Sequence, residues 1–347
     1  MKIGEYTIGL KYPPFIIAEM SGNHNQSLET ALKIIDAASK IGVHAIKIQT
    51  YTPDTITINK NDNEFYINDE KNIWKGQSLY NLYSNAHTPW EWHDVIFSHA
   101  KKKGIMCFST PFDESAVDFL EKIKVPAYKV SSFENIHLPL IKKVALTGKP
   151  MIISTGLASI AEIYDLVQTI KNTGNKNFIL LKCTSTYPAS SCDSNVITIP
   201  NMRDLFQCEV GLSDHTLGIG SAIAAVAHGA SVIEKHFTLS RKDKSVDSSF
   251  SLEPKEMEQL VHESKNAWLS LGKIQYGACK SEKKLIKQRR SLYIVMDIKK
   301  GEKITRENLR AIRPGLGIKP KYFEIILGQT IKKDVKKGTP FSWEFLK

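Results

Sequence analysis

The stretch Glu234-Lys235-His236 ends an apolar run, Ala230 to Ile233, on three ionisable side chains. In an extended segment side chains alternate between faces, so Glu234, His236 and Thr238 share one face while Lys235 and Phe237 take the other. About 20 residues earlier GLSDHTLG repeats the arrangement, with Ser213 and His215 on one face and Asp214 opposite. One such histidine alone is often a rim residue bonded to its neighbour. Two at strand ends, beside a carboxylate, suit a divalent cation with open coordination positions.

Positioning them requires elements, and the chain supplies a regular series. Eight short apolar runs, FIIA (15–18), AIKIQ (45–49), IMCF (105–108), AYKV (127–130), MIIS (151–154), FILLK (178–182), EVGL (209–212) and SVIE (231–234), alternate with amphipathic segments. The first of these, SLETALKIIDAASKIG, opens on Ser27 as an N-cap, with Thr30 three residues on, and closes on Gly42. Eight strand-helix units in about 260 residues predict a parallel (β/α)8 TIM barrel. An open dinucleotide-binding sheet would carry a glycine-rich turn after its first strand, and none follows FIIA.

Barrel chemistry gathers where strands end. There the sequence places Glu19, Lys47, Gln49, Thr110, Lys129, Ser132, Ser154, Ser185, Tyr187, Ser213, His215, Glu234 and His236. Two lysines and a ring of hydroxyls suit a small anion bearing phosphate or carboxylate. Together with the histidines they point to metal-assisted chemistry on a phosphorylated substrate.

The totals agree with an enzyme of this size. The chain has 347 residues, 42% hydrophobic and 24% charged, and its N-terminus carries no apolar core for a signal peptide. No segment approaches a membrane span, so a membrane role is excluded and the cytoplasm is expected. Five cysteines without a CxxC pair read as reduced thiols, mostly buried. The net charge of +11 is uneven: residues 280–347 hold 19 Lys+Arg against 7 Asp+Glu, leaving residues 1–279 near neutral. The basic tail suggests a separate module and keeps a nucleic-acid-binding protein as the rival from another class. The division expected is a barrel over 1–279, a charged linker KSEKKLIKQRR over 280–290 and a small domain over 291–347. In that last domain DIKKGEKIT (297–305) and DVKKGTPFS (334–342) form a near repeat, implying pseudo-twofold symmetry, and AIRPGLGI between them would present Arg313 on a loop.

The motifs IAEMSGNHNQS, KIQTYTPDT, FSTPFDES, STGLAS, SDHTLG, EKHFTLSR, VDSSFSLEP, RRSLY and IRPGLGI, taken in order, resemble the sialic acid synthases over nearly the whole chain. The resemblance implies a barrel joined to an antifreeze-like (SAF) C-terminal domain, and a homodimer whose subunits exchange those domains over each other's sites. It implies condensation of phosphoenolpyruvate with an acetamido sugar, and no nucleic-acid partner. Glu19-Met20-Ser21-Gly22-Asn23-His24-Asn25-Gln26 and HTPWEW (87–92) are similar to the branch that makes pseudaminic acid from 2,4-diacetamido-2,4,6-trideoxy-L-altrose. N-acetylneuraminate and legionaminate synthases are the alternatives within the family. Two stretches depart from the family pattern: RKDKSVDSSF lacks glycines before its Val-Asp pair, and CTSTYP has no asparagine near Ser185.

By the same resemblance His215 and His236 hold Mn²⁺ or Mg²⁺, with Co²⁺ a third choice; imidazole favours manganese over magnesium. Glu19 and Glu234 orient the reactants or move protons. Lys47, Thr110, Lys129, Ser132, Ser154, Ser185 and Ser213 hold phosphoenolpyruvate, and Gln49, Tyr187, Asp247 and Arg313 hold the sugar. Asn23 and His24 are expected to be structural.

Overall fold

The structure, a computed structural model, describes residues 1–70 and 72–347. Its strands β1 (Phe15–Glu19), β2 (Ala45–Thr50), β3 (Met106–Pro111), β4 (Tyr128–Val130), β5 (Met151–Ser154), β6 (Phe178–Cys183), β7 (Glu209–Asp214) and β8 (Val232–His236) follow the eight apolar runs. Each pairs in parallel with the next, and β8 pairs with β1 to close the barrel. Several strands outrun the apolar residues, to Pro111, Asp214 and His236. Ladder hydrogen bonds belong to the backbone and continue past the change in side-chain type.

The helix Leu28–Ile41 forms as its signals predict. The Ser27 side chain accepts from the Thr30 amide, and Gly42 ends the helix at φ 85°, a left-handed conformation that glycine adopts without strain. Its apolar face, with Ala31, Ile34, Ile35 and Ala38, is buried with the outward-facing strand residues Ile16, Ala18, Ile46 and Ile48.

Inside the barrel the alternation of each strand stacks two kinds of layer. Phe15, Ile17, Ala45, Phe108, Ala127, Ile152, Ile179 and Leu181 fill the lower part, and Ile3, in the N-terminal hairpin of Lys2–Ile3 with Tyr6–Thr7, and Ile8, just after it, pack beneath them. One step of alternation further along, the same faces carry Glu19, Lys47, Thr110, Lys129, Ser154, Cys183, Ser213 and Glu234, all buried. Gly211 lets β7 fit closely into this wall: a Cβ there would lie 2.3 Å from the Val232 carbonyl oxygen.

The connection after β2 is unlike the others. Before the helix His93–Lys102 the chain makes an excursion containing the short helices Pro53–Ile56 and Leu79–Ala86. The sequence pattern gave no sign of its purpose, because a strand-helix count passes over residues that form neither.

The chain divides into compact units Met1–Gly272 and Lys273–Lys347, so residues 273–279, read from the sequence as the end of the barrel, group with the second unit. There β9 (Ser291–Ile294) pairs antiparallel with β10 (Leu309–Ile312). The two copies of the repeat pair with each other. Ile298 and Val335 exchange both backbone hydrogen bonds at 2.9 Å. Asp297 accepts from the Lys337 amide and Asp334 from the Lys300 amide, each at 2.8 Å. Lys336 reaches Asp297 at 2.9 Å, and Lys299 reaches Asp334 at 3.3 Å. This reciprocity is the pseudo-twofold expected of the duplication, and it uses part of the basic charge internally.

The cysteines correct one expectation. All five are free thiols, but only Cys107 and Cys183 are buried; Cys192 is exposed, and Cys208 and Cys279 are partly so. Cys192 and Cys279 lie outside regular strands, where no packed layer covers them.

Candidate active site

The polar layer opens into a cavity of about 880 Å³, lined by every expected site residue except Glu19, Thr110 and Arg313. Glu19 and Thr110 stand one contact behind, both against Lys47: its ammonium lies 2.7 Å from Glu19 Oε2 and donates to Thr110 Oγ1 at 3.3 Å. Arg313 lies in the second unit, exposed on its loop. Ser291 fixes that loop, donating to the Pro314 carbonyl at 2.8 Å and accepting from the Gly317 amide at 2.9 Å.

The floor is an alternating set of charges. Glu234 Oε1 lies 3.6 Å from the Lys47 ammonium and 3.7 Å from that of Lys129, and accepts from Ser213 Oγ at 3.1 Å. Lys129 donates to Ser154 Oγ at 2.7 Å and to the Val130 carbonyl at 3.0 Å. Gln49 donates to Glu19 Oε1 at 3.3 Å and to Ser21 Oγ at 3.0 Å. Burial decides the proton affinities. It pushes the Glu19 carboxyl up to about 7, against the pull of Lys47. Burial also favours the neutral form of Glu234, but Lys129 and Lys47 outweigh it and hold that carboxyl below its ordinary value. For Lys47, Glu19 and Glu234 outweigh burial and raise the pKa; for Lys129 burial prevails and lowers it. Near neutral pH Glu234 is ionised and Glu19 poised, so the floor has positive charge available to an anion.

Above it, Gly156 lies against Ser132 and Ser185. Its amide donates to Ser132 Oγ at 3.1 Å, and a Cβ would come within 2.2 Å of Ser185 Oγ and 2.7 Å of Ser132 Oγ. Only glycine leaves both hydroxyls and the bare backbone together, an arrangement suited to phosphate oxygens. Asp247 accepts from the Gly22 amide at 3.3 Å, and burial raises its carboxyl.

The two histidines meet, with ring centroids 5.3 Å apart. His215 Nδ1 lies 2.9 Å from the Thr184 carbonyl and 3.9 Å from Cys183 Sγ; burial alone would lower its pKa, but Cys183 and the Thr184 carbonyl outweigh it and raise it. His236 has its Nδ1 buried without a partner, and burial with the neighbouring His215 holds its pKa well below the ordinary value, keeping it neutral. Glu234 Oε2 is likewise buried and unpartnered. Among the described residues no group of three or more His, Cys, Asp or Glu is gathered as a metal shell. The unpartnered His236 Nδ1 and the facing His215 ring are the nitrogen donors that this end of the cavity offers. Behind it Lys235 and Asp214, on the outward faces, form a buried ion pair at 2.6 Å, as the alternation predicts.

Asn23 and His24 are structural. Asn23 donates to the Phe237 carbonyl and Ser251 Oγ and accepts from Ser245; His24 is fully buried between the Gln26 amide and Thr88. Sequence reasoning missed three participants. Glu134 lines the cavity with Oε2 unpartnered and its carboxyl raised to about 7 by burial. Cys183 packs beside His215, Sγ to Nδ1 3.9 Å; its position at the end of β6, in step with Ile179 and Leu181, was the available signal. Trp74, from the excursion after β2, left no periodic signal.

Comparison with known proteins agrees with this geometry. Residues 34–276 match the model of the NeuB family, and residues 289–347 that of the SAF domain. The chain is 43% identical to a pseudaminic acid synthase of Campylobacter jejuni, over 97% of both chains. It is 40% identical to one of Helicobacter pylori, over 95% of this chain and 97% of that one. The crystal structure of N-acetylneuraminic acid (sialic acid) synthetase from Leptospira borgpetersenii superposes with a TM-score of 0.73 at 32% identity, covering 82% of this chain and 94% of that one. A charged barrel rim, two facing imidazoles and a duplicated C-terminal module thus accompany similarity along the whole sequence, and the chain belongs to the NeuB family.

Proposed function

We propose that this protein condenses phosphoenolpyruvate with 2,4-diacetamido-2,4,6-trideoxy-L-altrose and water, giving pseudaminic acid and phosphate. The observation that carries the reading is the cavity floor, where Lys47 and Lys129 are buried around Glu234 beside the Ser132–Gly156–Ser185 cradle. The two pseudaminic acid synthases at 43% and 40% identity favour this branch over the neuraminate one, whose solved relative is 32% identical.

Lys47 and Lys129 neutralise the carboxylate and phosphate, Ser132, Ser154, Ser185 and Ser213 orient them, and Thr110 holds the Lys47 ammonium from behind. The enol carbon of phosphoenolpyruvate bonds to the aldehyde carbon of the open sugar as the aldehyde oxygen takes up a proton. Water then adds to C2 and loses a proton, and the C2–O bond to phosphate breaks as the remaining C2 hydroxyl proton passes to the departing phosphate, leaving a 2-keto acid. Glu19, which stands behind Lys47 at 2.7 Å with its pKa near 7, supplies the first proton through that ammonium, and ionised Glu234, on the cavity wall, accepts the second. A divalent cation, Mn²⁺ ahead of Mg²⁺ or Co²⁺, held by His215 and His236, supplies Lewis-acid polarisation of the aldehyde oxygen when bound. Gln49, Tyr187 and Asp247 orient the sugar.

Arg313 completes the sugar site from a partner subunit in a homodimer with exchanged SAF domains. Phe133, Ile136 and Leu157 support this: they flank loops tied by the Asn135–Gly156 hydrogen bond at 2.9 Å, yet stand 56%, 59% and 77% exposed. No helix among the described residues is long and apolar enough to cross a membrane. Free thiols suit a reducing compartment, and we assign the enzyme to the cytoplasm.

Phosphate release should be rapid with the diacetamido sugar and at least about 10⁴-fold slower, in kcat/KM, with N-acetylmannosamine, which leaves groups made for the second acetamido unpaired. Comparable values would exclude the pseudaminic branch. His236→Ala should stay folded and bind Mn²⁺ more than about 100-fold more weakly, measured by titration; unchanged affinity would remove it from the metal site. Mixing Arg313→Ala with His236→Ala under conditions that exchange subunits should restore turnover through dimers holding one intact composite site. No recovery despite proven exchange would defeat the cross-subunit role of Arg313.

A further inference from the structure

The cavity has two unlike halves. Strand ends supply the charged floor, whereas the opposite side is largely apolar, with Asp69 and Asn72 as its polar members, and comes mostly from one segment. Ile56, Ile67, Ile73, Trp74, Leu79 and Leu82 all line it, and all lie in the excursion between β2 and the helix His93–Lys102. A three-carbon phosphorylated acid is satisfied by the floor and fills only part of about 880 Å³. The second reactant must occupy the space against the wall.

Two features show a built subsite. Trp74 donates from its indole Nε1 to the Val246 carbonyl at 2.9 Å, fastening the excursion across the mouth to the loop that carries Asp247. Its ring also lies 5.7 Å from that of Tyr187, tilted by 48°, which in turn sits 4.5 Å from His215. The wall is therefore fixed relative to the reacting end of the site. Ile73 lines the cavity yet remains 43% exposed, so part of its apolar surface faces space that a ligand can fill. Hydroxyls set against Ile56, Ile67, Ile73, Leu79 and Leu82 would lose water without replacement hydrogen bonds from those side chains. A sugar rich in methyl groups would bury them.

We propose that the excursion over residues 51–86, anchored by Trp74, is the specificity element of the enzyme, and that its apolar wall receives the C6 methyl and acetamido methyl groups of the sugar. This rests on the reaction proposed above and adds the part of the chain that selects the sugar. The floor selects for the anion common to the reaction; the wall selects for deoxygenation of its partner.

The test compares 2,4-diacetamido-2,4,6-trideoxy-L-altrose with its 6-hydroxy congener, 2,4-diacetamido-2,4-dideoxy-L-altrose, on wild type, Ile67→Asn, Ile73→Asn and Trp74→Phe. A methyl group matched to an apolar pocket is worth roughly 10- to 200-fold. Wild type should prefer the deoxy sugar by that factor in kcat/KM. Either Asn variant should cut the preference at least about fivefold, through the KM of the sugar, with the KM of phosphoenolpyruvate within about twofold of wild type. Trp74→Phe keeps a ring but loses the bond to Val246, and should raise the KM of both sugars about tenfold at unchanged melting temperature. Ile73 is partly exposed, so its variant reads the pocket even if Ile67→Asn folds poorly. Equal losses for both sugars in the Asn variants, or a wild-type preference below about twofold, would overturn the specificity role while leaving the reaction standing. Turnover of neither sugar by wild type would defeat the reaction and this inference together.

Discussion

Everything at the mouth of the barrel depends on keeping four charges out of water. Lys47 and Lys129 are almost completely buried, as are Glu19 and Glu234, and the contacts among them run from 2.7 to 3.7 Å. Desolvating such groups costs several kcal/mol each, and their mutual attraction returns only part of it. Apolar residues of similar volume would serve stability at least as well. The arrangement is intelligible as preparation for a further charge: an anion arriving between the lysines completes a cluster that is otherwise short of negative charge.

The scaffold meets this cost by layering. Below the charged layer the same strands present Phe, Ile, Leu and Ala to the barrel interior, and their outward faces are covered by helices. Alternation lets one short strand do both, since each step of two residues stays on one face. Precision comes from positions where a side chain is absent. Gly211 allows β7 to approach β8, and Gly156 opens the space between Ser132 and Ser185. The Lys235–Asp214 pair locks the outward faces of β7 and β8, and with them the inward faces that carry Ser213, His215, Glu234 and His236.

Much of this was legible in the sequence, because strand periodicity and strand-end chemistry are local. The eight apolar runs located the strands, and the alternation at Glu234 and His236 gave the facing pair of histidines. The duplication in the C-terminal domain announced a symmetry that the Asp297–Lys336 and Asp334–Lys299 pairs realise. What escaped was whatever depends on meeting across the fold. Glu134 follows a strand end by several residues, and only its burial makes it unusual. Trp74 lies in an irregular excursion whose contact with Val246 spans 172 residues of sequence. The modest burial of the cysteines also depends on which surfaces are left uncovered, which composition does not encode.

The central claim is that the buried lysines exist to hold phosphoenolpyruvate. Calorimetric titration of phosphoenolpyruvate into wild type and Lys129→Met, with Mn²⁺ present and no sugar, tests it without relying on turnover. Loss of one member of a buried, hydrogen-bonded charge contact costs about 2–5 kcal/mol, so affinity should fall at least about 30-fold while the variant remains folded. Affinity within about twofold of wild type would mean that the charged floor holds something else.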